Sequence, residues 1–135
     1  MRELKFRVWD NKNKKFLPES HFAILGSGKV IVTLSGYYEH FTNKTQDDYV
    51  VQQYTGFKDK NGNSIHEGDI VKYKTWTGSH DGTTEEHRTQ VQFKDGAYYP
   101  RYINDECDDS WYSFKVYDLE VVGNVFETPH LDEHN

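Results

Sequence analysis

The chain has 135 residues, a formal net charge of −6 and an apolar fraction of 35%, almost half of it aromatic. That length allows one ordinary domain or two very small ones sharing a core, with no need of a staple. The acidic balance argues against a general nucleic-acid binder, whose phosphate affinity rests on Lys and Arg, and the single cysteine, Cys107, excludes a disulfide-stapled secreted fold. The N-terminus leads into no apolar run of signal length, and no stretch approaches the ~20 apolar residues that span a bilayer. The expected location is therefore the cytoplasm, away from membranes.

Leu4 to Trp9 alternates as a strand does, with Leu4, Phe6 and Val8 on one face and Lys5, Arg7 and Trp9 on the other. Asp10 to Lys14 is a turn cluster, and Lys15-Phe16-Leu17 returns as a second short strand that Pro18 ends. Ser20 to Leu25 shows no clear period, and Gly26-Ser27-Gly28 breaks the chain. Lys29 to Leu34 is the densest β-branched run and predicts a buried strand. An aromatic patch follows at Tyr37, Tyr38 and Phe41. Asn43 to Asp48 reads as a loop or a single helical turn. Tyr49 to Tyr54 is strand-like.

The sharpest local signal is Gly56 to Ile65, where Asn61-Gly62 predicts a hairpin. A three-residue loop with Gly62 left-handed pairs Asp59 with Asn63 and sets Phe57 beside Ile65. That register is preferred over a two-residue loop because it buries both apolar residues together. Glu67-Gly68-Asp69 turns into a strand over Ile70 to Trp76, with Asp69 placed to bond turn amides. Thr77 to Glu86 holds no apolar residue and predicts a long exposed loop. Gln90 to Phe93, a turn at Asp95-Gly96 and Ala97 to Tyr102 form the next hairpin, with Pro100 marking an edge or a bulge. Asn104 to Ser110 is acidic loop. Trp111 to Tyr117 and Leu119 to Phe126 close the fold, and Pro129 onward predicts a frayed tail.

The whole predicts a mainly β protein with little helix: a small N-terminal β-sheet region over residues 1–55, an SH3-like barrel over 56–128 and a C-terminal tail over 129–135. Three segments carry a resemblance: Phe6-Arg7-Val8-Trp9-Asp10; Gln53 to Gly62 (QYTGFKDKNG) with Glu67-Gly68-Asp69-Ile70-Val71; and Val122-Gly123-Asn124-Val125-Phe126-Glu127 before Pro129. In this order, over nearly the whole chain, they resemble the YopX-like family, small proteins of phages and prophages, mostly of Gram-positive bacteria. The resemblance implies a β-rich fold with an SH3-type barrel in its C-terminal part and a phage or prophage gene. It implies no activity.

The polar groups suggest no catalytic set. Asp59 to Ser64 superficially resembles a calcium loop, but Ser64 stands where an EF-hand needs Gly and Ile70 where it needs Glu. His80, Asp81, Glu85, Glu86 and His87 crowd one segment in a spacing that matches no metal motif. His130 and His134 fall in the expected tail. Asp105, Glu106, Asp108 and Asp109 surround Cys107 and disfavour its thiolate. No nucleophile elbow, P-loop or dinucleotide fingerprint is present. These readings predict a non-enzyme with no metal and no cofactor.

Aromatic residues are the remaining signal. Trp76, Tyr98, Tyr99, Tyr102 and Trp111 fall in the barrel half, where such folds present aromatics to peptides or bases. Trp76, Tyr98 and Tyr99 are the candidate interaction surface. Charge is uneven as well: residues 1–15 carry six basic side chains against two acidic, while residues 104–135 carry nine acidic side chains and only Lys115. Opposed head and tail suit pairing between copies. The expected role is a protein-interaction module that forms a homo-oligomer and binds a host or phage protein. The alternative is a nucleic-acid-associated module using the basic head and the barrel aromatics.

Overall fold

The computed structural model describes residues 3–33, 48–94, 96–100 and 119–133, without the side chains of residues 75, 76, 99 and 100. The described chain is mainly β, as its aromatic and β-branched composition predicts. It divides into two compact units, Leu4–Gln53 and, for nearly all of the rest, Tyr54–Asn135. The division falls inside one strand.

In the N-terminal unit, β1 (Phe6–Asp10) pairs with β2 (Lys15–Phe16) on one side and with the first half of β5 (Tyr49–Lys58) on the other. The predicted turn between β1 and β2 forms because Asp10 organises it. Its carboxylate accepts the backbone N–H of Lys12 and of Asn13 and the Asn13 side-chain amide. Burial pushes this carboxyl up, but the bonds from Asn13 and Lys12 outweigh it and hold it below the usual carboxylate range. Both faces of β1 are covered near its end. Val8 is fully buried on one face, while Trp9 is buried on the other and meets Phe16 edge-on, ring centroids 5.0 Å apart. Arg7 lies over the same Phe16 ring at 4.7 Å and donates to Gln52 at 2.8 Å.

Residues 20–25, which show no clear period, resolve into a short 3-10 turn (Glu19–His21) and β3 (Phe22–Ile24). β3 pairs with β4 (Val30–Val32), the middle of the predicted β-branched strand, of which Val30 is buried and Ile31 and Val32 only half-buried, so the expected burial holds at one of the three positions.

In the C-terminal unit, the end of β5 pairs with β6 (Ser64–His66) around the Asn61-Gly62 turn. The turn has the predicted three-residue form: Asp59 N donates to Asn63 O, Gly62 N donates to Asp59 O, and Gly62 has φ +85°. Phe57, however, is 39% exposed while Ile65 is 1% exposed. The expected joint burial fails because the register shifts between Tyr54 and Lys58, where Gly56 takes φ +90°. Thr55 turns inward instead, donating to Ile65 O at 2.7 Å and accepting Phe57 N at 3.2 Å.

A four-stranded antiparallel sheet follows, ordered β10-β7-β8-β9, from β7 (Asp69–Trp76), β8 (Thr84–Lys94), β9 (Ala97–Pro100) and β10 (Glu120–Asn124). This order is compatible with an SH3-like barrel. Cross-strand partners set its two faces. Val71, Tyr73, Val91, Tyr98 and Val121 fall on one face and, with Ile65 and Leu119, form or pack on the core. Asp69 starts β7 as expected, its carboxylate accepting His66 N at 2.8 Å.

Two expectations are corrected here. The long loop over 77–86 is shorter, because β8 begins at Thr84 and pairs with β7 from there. A two-stranded ribbon needs no apolar side chains when ladder hydrogen bonds hold it, so hydropathy misses its start. The tail is not frayed through residue 133. A 3-10 turn (Pro129–Leu131) follows β10, Asp132 is 5% exposed, and Glu133 N donates to Arg88 O at 3.2 Å.

Candidate interaction surfaces

Of the aromatic trio read from the sequence, Tyr98 is the member whose side chain is described. Tyr98 stands opposite Phe93 in the register, packs on the core and meets the Phe93 ring edge-on at 5.0 Å. Tyr99 is the next residue of β9 and pairs with Gln92, while Trp76 pairs with Thr84 at the far end of β7. The side chains of Trp76 and Tyr99 lie outside the described residues. So do Tyr102, Trp111, the acidic run around Cys107, the patch at Tyr37, Tyr38 and Phe41, the segment from Asn43 to Gln46, the strand expected over 111–117 and His134.

The crowded histidine segment is dispersed by the ribbon. His80 and Asp81 lie in the β7–β8 turn. There Asp81 accepts hydrogen bonds from the Ser79 and Thr83 hydroxyls and from Thr83 N, which push its carboxyl down to about 2. Glu86 pairs with Lys74, while Glu85 and His87 point to the other side of the ribbon. His87 bonds Glu133 through Nδ1 at 3.1 Å and stacks at a tilt on Tyr73, ring centroids 5.4 Å apart. Its role is thus to hold the C-terminal segment. Among the described residues, no three His, Cys, Asp or Glu side chains group as a metal site.

Asp59, the apparent calcium-loop aspartate, also has a structural job. Its two oxygens accept Asn61 N, Asn63 N, the Asn63 amide and Val121 N, at 2.8–3.3 Å. The last bond crosses to β10, and Lys60 N adds another to Leu119 O at 3.0 Å. Burial raises this carboxyl, and the Val121 and Asn63 donors more than reverse it.

Two surfaces escaped sequence reasoning. The first is an open apolar groove of about 680 Å³ in the N-terminal unit, lined chiefly by Leu4, Phe6, Phe22, Ile24, Leu25 and Val51, with Lys5 and Glu19 at its rim. Leu4 is 59% exposed, Phe6 36% and Leu25 38%. The alternation of Leu4, Phe6 and Val8 signalled an apolar face, but not that its first half would stay uncovered.

The second surface is the sheet face opposite the C-terminal core. It carries Lys72, Lys74, Arg88 and Lys94 with Gln90 and Gln92. Glu120 bonds both Lys60 and Lys72, at 3.1 and 3.2 Å, and those two amines hold its carboxyl below the usual range. In the N-terminal unit, Lys12, Lys14 and Lys15 are exposed in or beside the β1–β2 turn.

A model of the YopX protein family matches residues 5–133. The chain belongs to the YopX family. The YopX-family fold recurs in protein EF1440 from Enterococcus faecalis, whose crystal structure superposes with a TM-score of 0.62 at 27% identity, covering 98% of this chain and 100% of that one. Protein YopX from Bacillus subtilis superposes with a TM-score of 0.60 at 20% identity, with the same coverage, and likewise shows the fold. No curated protein sequence matches this YopX-family chain. No helix among its described residues is long and apolar enough to cross a membrane.

Proposed function

We propose that this chain is a non-enzymatic interaction module of phage or prophage origin, acting in the cytoplasm of a bacterial host, that self-associates and binds a host or phage protein. One observation carries the reading: Leu4, Phe6 and Leu25 stand exposed around a single groove. Contiguous exposed apolar surface rimmed by polar residues marks association sites. The second copy is the favoured occupant because the chain supplies both halves of such a contact. It has an apolar groove at its basic head, and exposed Phe57 and Phe93, the latter 57% exposed, in the other unit. A groove on one copy meeting a knob on the next makes a head-to-tail contact. The non-enzymatic reading rests on the absence of any catalytic motif in the sequence, and the prophage origin on the three resembling segments.

Sedimentation velocity across micromolar concentrations tests the proposal. The expected result is a concentration-dependent oligomer that becomes monomeric in the Leu4→Ser, Phe6→Ser double variant, with the β-sheet circular dichroism unchanged. A wild type that stays monomeric, or a double variant that associates as before, would overturn it.

A further inference from the structure

We infer that the outer edge of β3 pairs with the same edge of a second copy across a two-fold axis. The hydrogen bonds of the β3–β4 ribbon expose that edge. Leu25 N donates to Lys29 O and Thr33 N to His21 O, both at 2.9 Å, at the two ends of the register. Hydrogen-bonded and non-hydrogen-bonded pairs alternate along antiparallel strands. Ala23 therefore exchanges bonds with Ile31, while the N–H and C=O of Phe22 and Ile24 turn away from β4. Among the described residues, β3 pairs with β4 alone. Proteins blunt such edges with a charge, a proline or a bulge. Phe22-Ala23-Ile24 has none of these: its register with β4 is unbroken, and its side chains are apolar and half-buried.

The edge fits itself. In an antiparallel pair centred on Ala23, Phe22 stands opposite Ile24 of the second copy and exchanges both backbone bonds with it, and the two-fold axis repeats the pair. An aromatic ring beside a β-branched side chain is a favourable cross-strand neighbour. Ala23 meets its own counterpart on the axis, where a small side chain suits the Cα separation of about 4.5 Å in a non-hydrogen-bonded pair. The groove that Phe22 and Ile24 line carries one charge of each sign, Lys5 and Glu19. The patch thus meets itself with no excess of like charge, a match that a strand of one charge sign lacks. This isologous contact adds to the head-to-tail one, because strand addition uses backbone groups in the plane of the ribbon and leaves the groove's side chains on its face. It rests on the reading that copies associate through the groove, since an edge of three residues offsets too little of the cost of association to hold two copies alone.

Amide hydrogen exchange and cross-linking test this with the full chain. At concentrations where the chain associates, the Phe22 and Ile24 amides are expected to be protected and to lose protection on dilution, while Ala23 stays protected at both. Ala23→Cys in a Cys107→Ser chain is expected to give at least about tenfold more covalent dimer under mild oxidation than Ser27→Cys in the exposed β3–β4 turn, because the Cα separation on the axis suits a disulfide. Ala23→Asp, its fold checked by circular dichroism, is expected to weaken association by setting like charges on the axis. Protection of Phe22 and Ile24 that is absent, or that dilution leaves unchanged, overturns the proposal. So does an associating wild type in which Ala23→Cys cross-links no better than Ser27→Cys, a result that leaves the groove reading standing. A wild type that sediments as a monomer overturns both.

Discussion

Replacing Asp59 by Ala tests the claim that this residue fastens the β5–β6 hairpin to β10. Asp59 is 6% exposed, and its carboxylate accepts three backbone N–H groups. Asn61 is exposed, so water can replace its bond. Asn63 N and Val121 N lose a charge-assisted acceptor, at about 1–2 kcal/mol each. The expected loss is about 3 kcal/mol, or roughly 10 °C in Tm for a chain of this length. The folded carboxyl is held below its ordinary value of 3.8. Its ionised form is therefore favoured in the folded state. Its contribution is fully present above the ordinary value and is lost as pH falls through the depressed folded value. Urea unfolding of wild type and Asp59→Ala at pH 7 and pH 3 should show the gap between them narrowing at the lower pH. Asp59→Asn should recover part of the loss at pH 7 and show little of the narrowing. A gap under about 1 kcal/mol at pH 7, or one as wide at pH 3, would refute the assignment.

Gly123→Ala would place a Cβ 1.9 Å from Thr128 Oγ1. It should destabilise by about 2 kcal/mol and free residues 125–133 to protease, and adding Thr128→Ala should restore part of both. Tyr98→Ala should cost about 2 kcal/mol in thermal unfolding, because the ring packs on the core; an unchanged Tm would move Tyr98 to the surface. Gly62→Ala, at φ +85°, should cost about 1 kcal/mol in the same assay, while Asn63→Ala should lose the side-chain bond to Asp59 alone and cost less.

Local chemistry was legible wherever neighbours in sequence decide it. The turns at Asp10–Lys14, Asn61-Gly62 and Gly68-Asp69 follow from short polar side chains that bond nearby amides and from glycines that take positive φ. The strands of high β-branched content, β4 and β7, were readable for the same reason. The start of β8 was not. Its residues 84–90 are held by hydrogen bonds to β7, and a ladder between strands leaves no period in hydropathy. The fate of Phe57 was hidden as well, since the bulge at Gly56 that turns it outward depends on the pairing of β5 with β6.

By itself the sequence determined a β-rich chain with its turn positions, its lone cysteine and a family pattern spread along its length. Tertiary structure alone decided which faces are covered. It left Leu4, Phe6 and Leu25 uncovered, packed Tyr98 against the core, set Lys72 against Arg88, and used His87 and Asp59 to tie distant segments together. The reason is physical. A turn is settled by interactions within a few residues, whereas burial and charge pairing depend on which strands become neighbours.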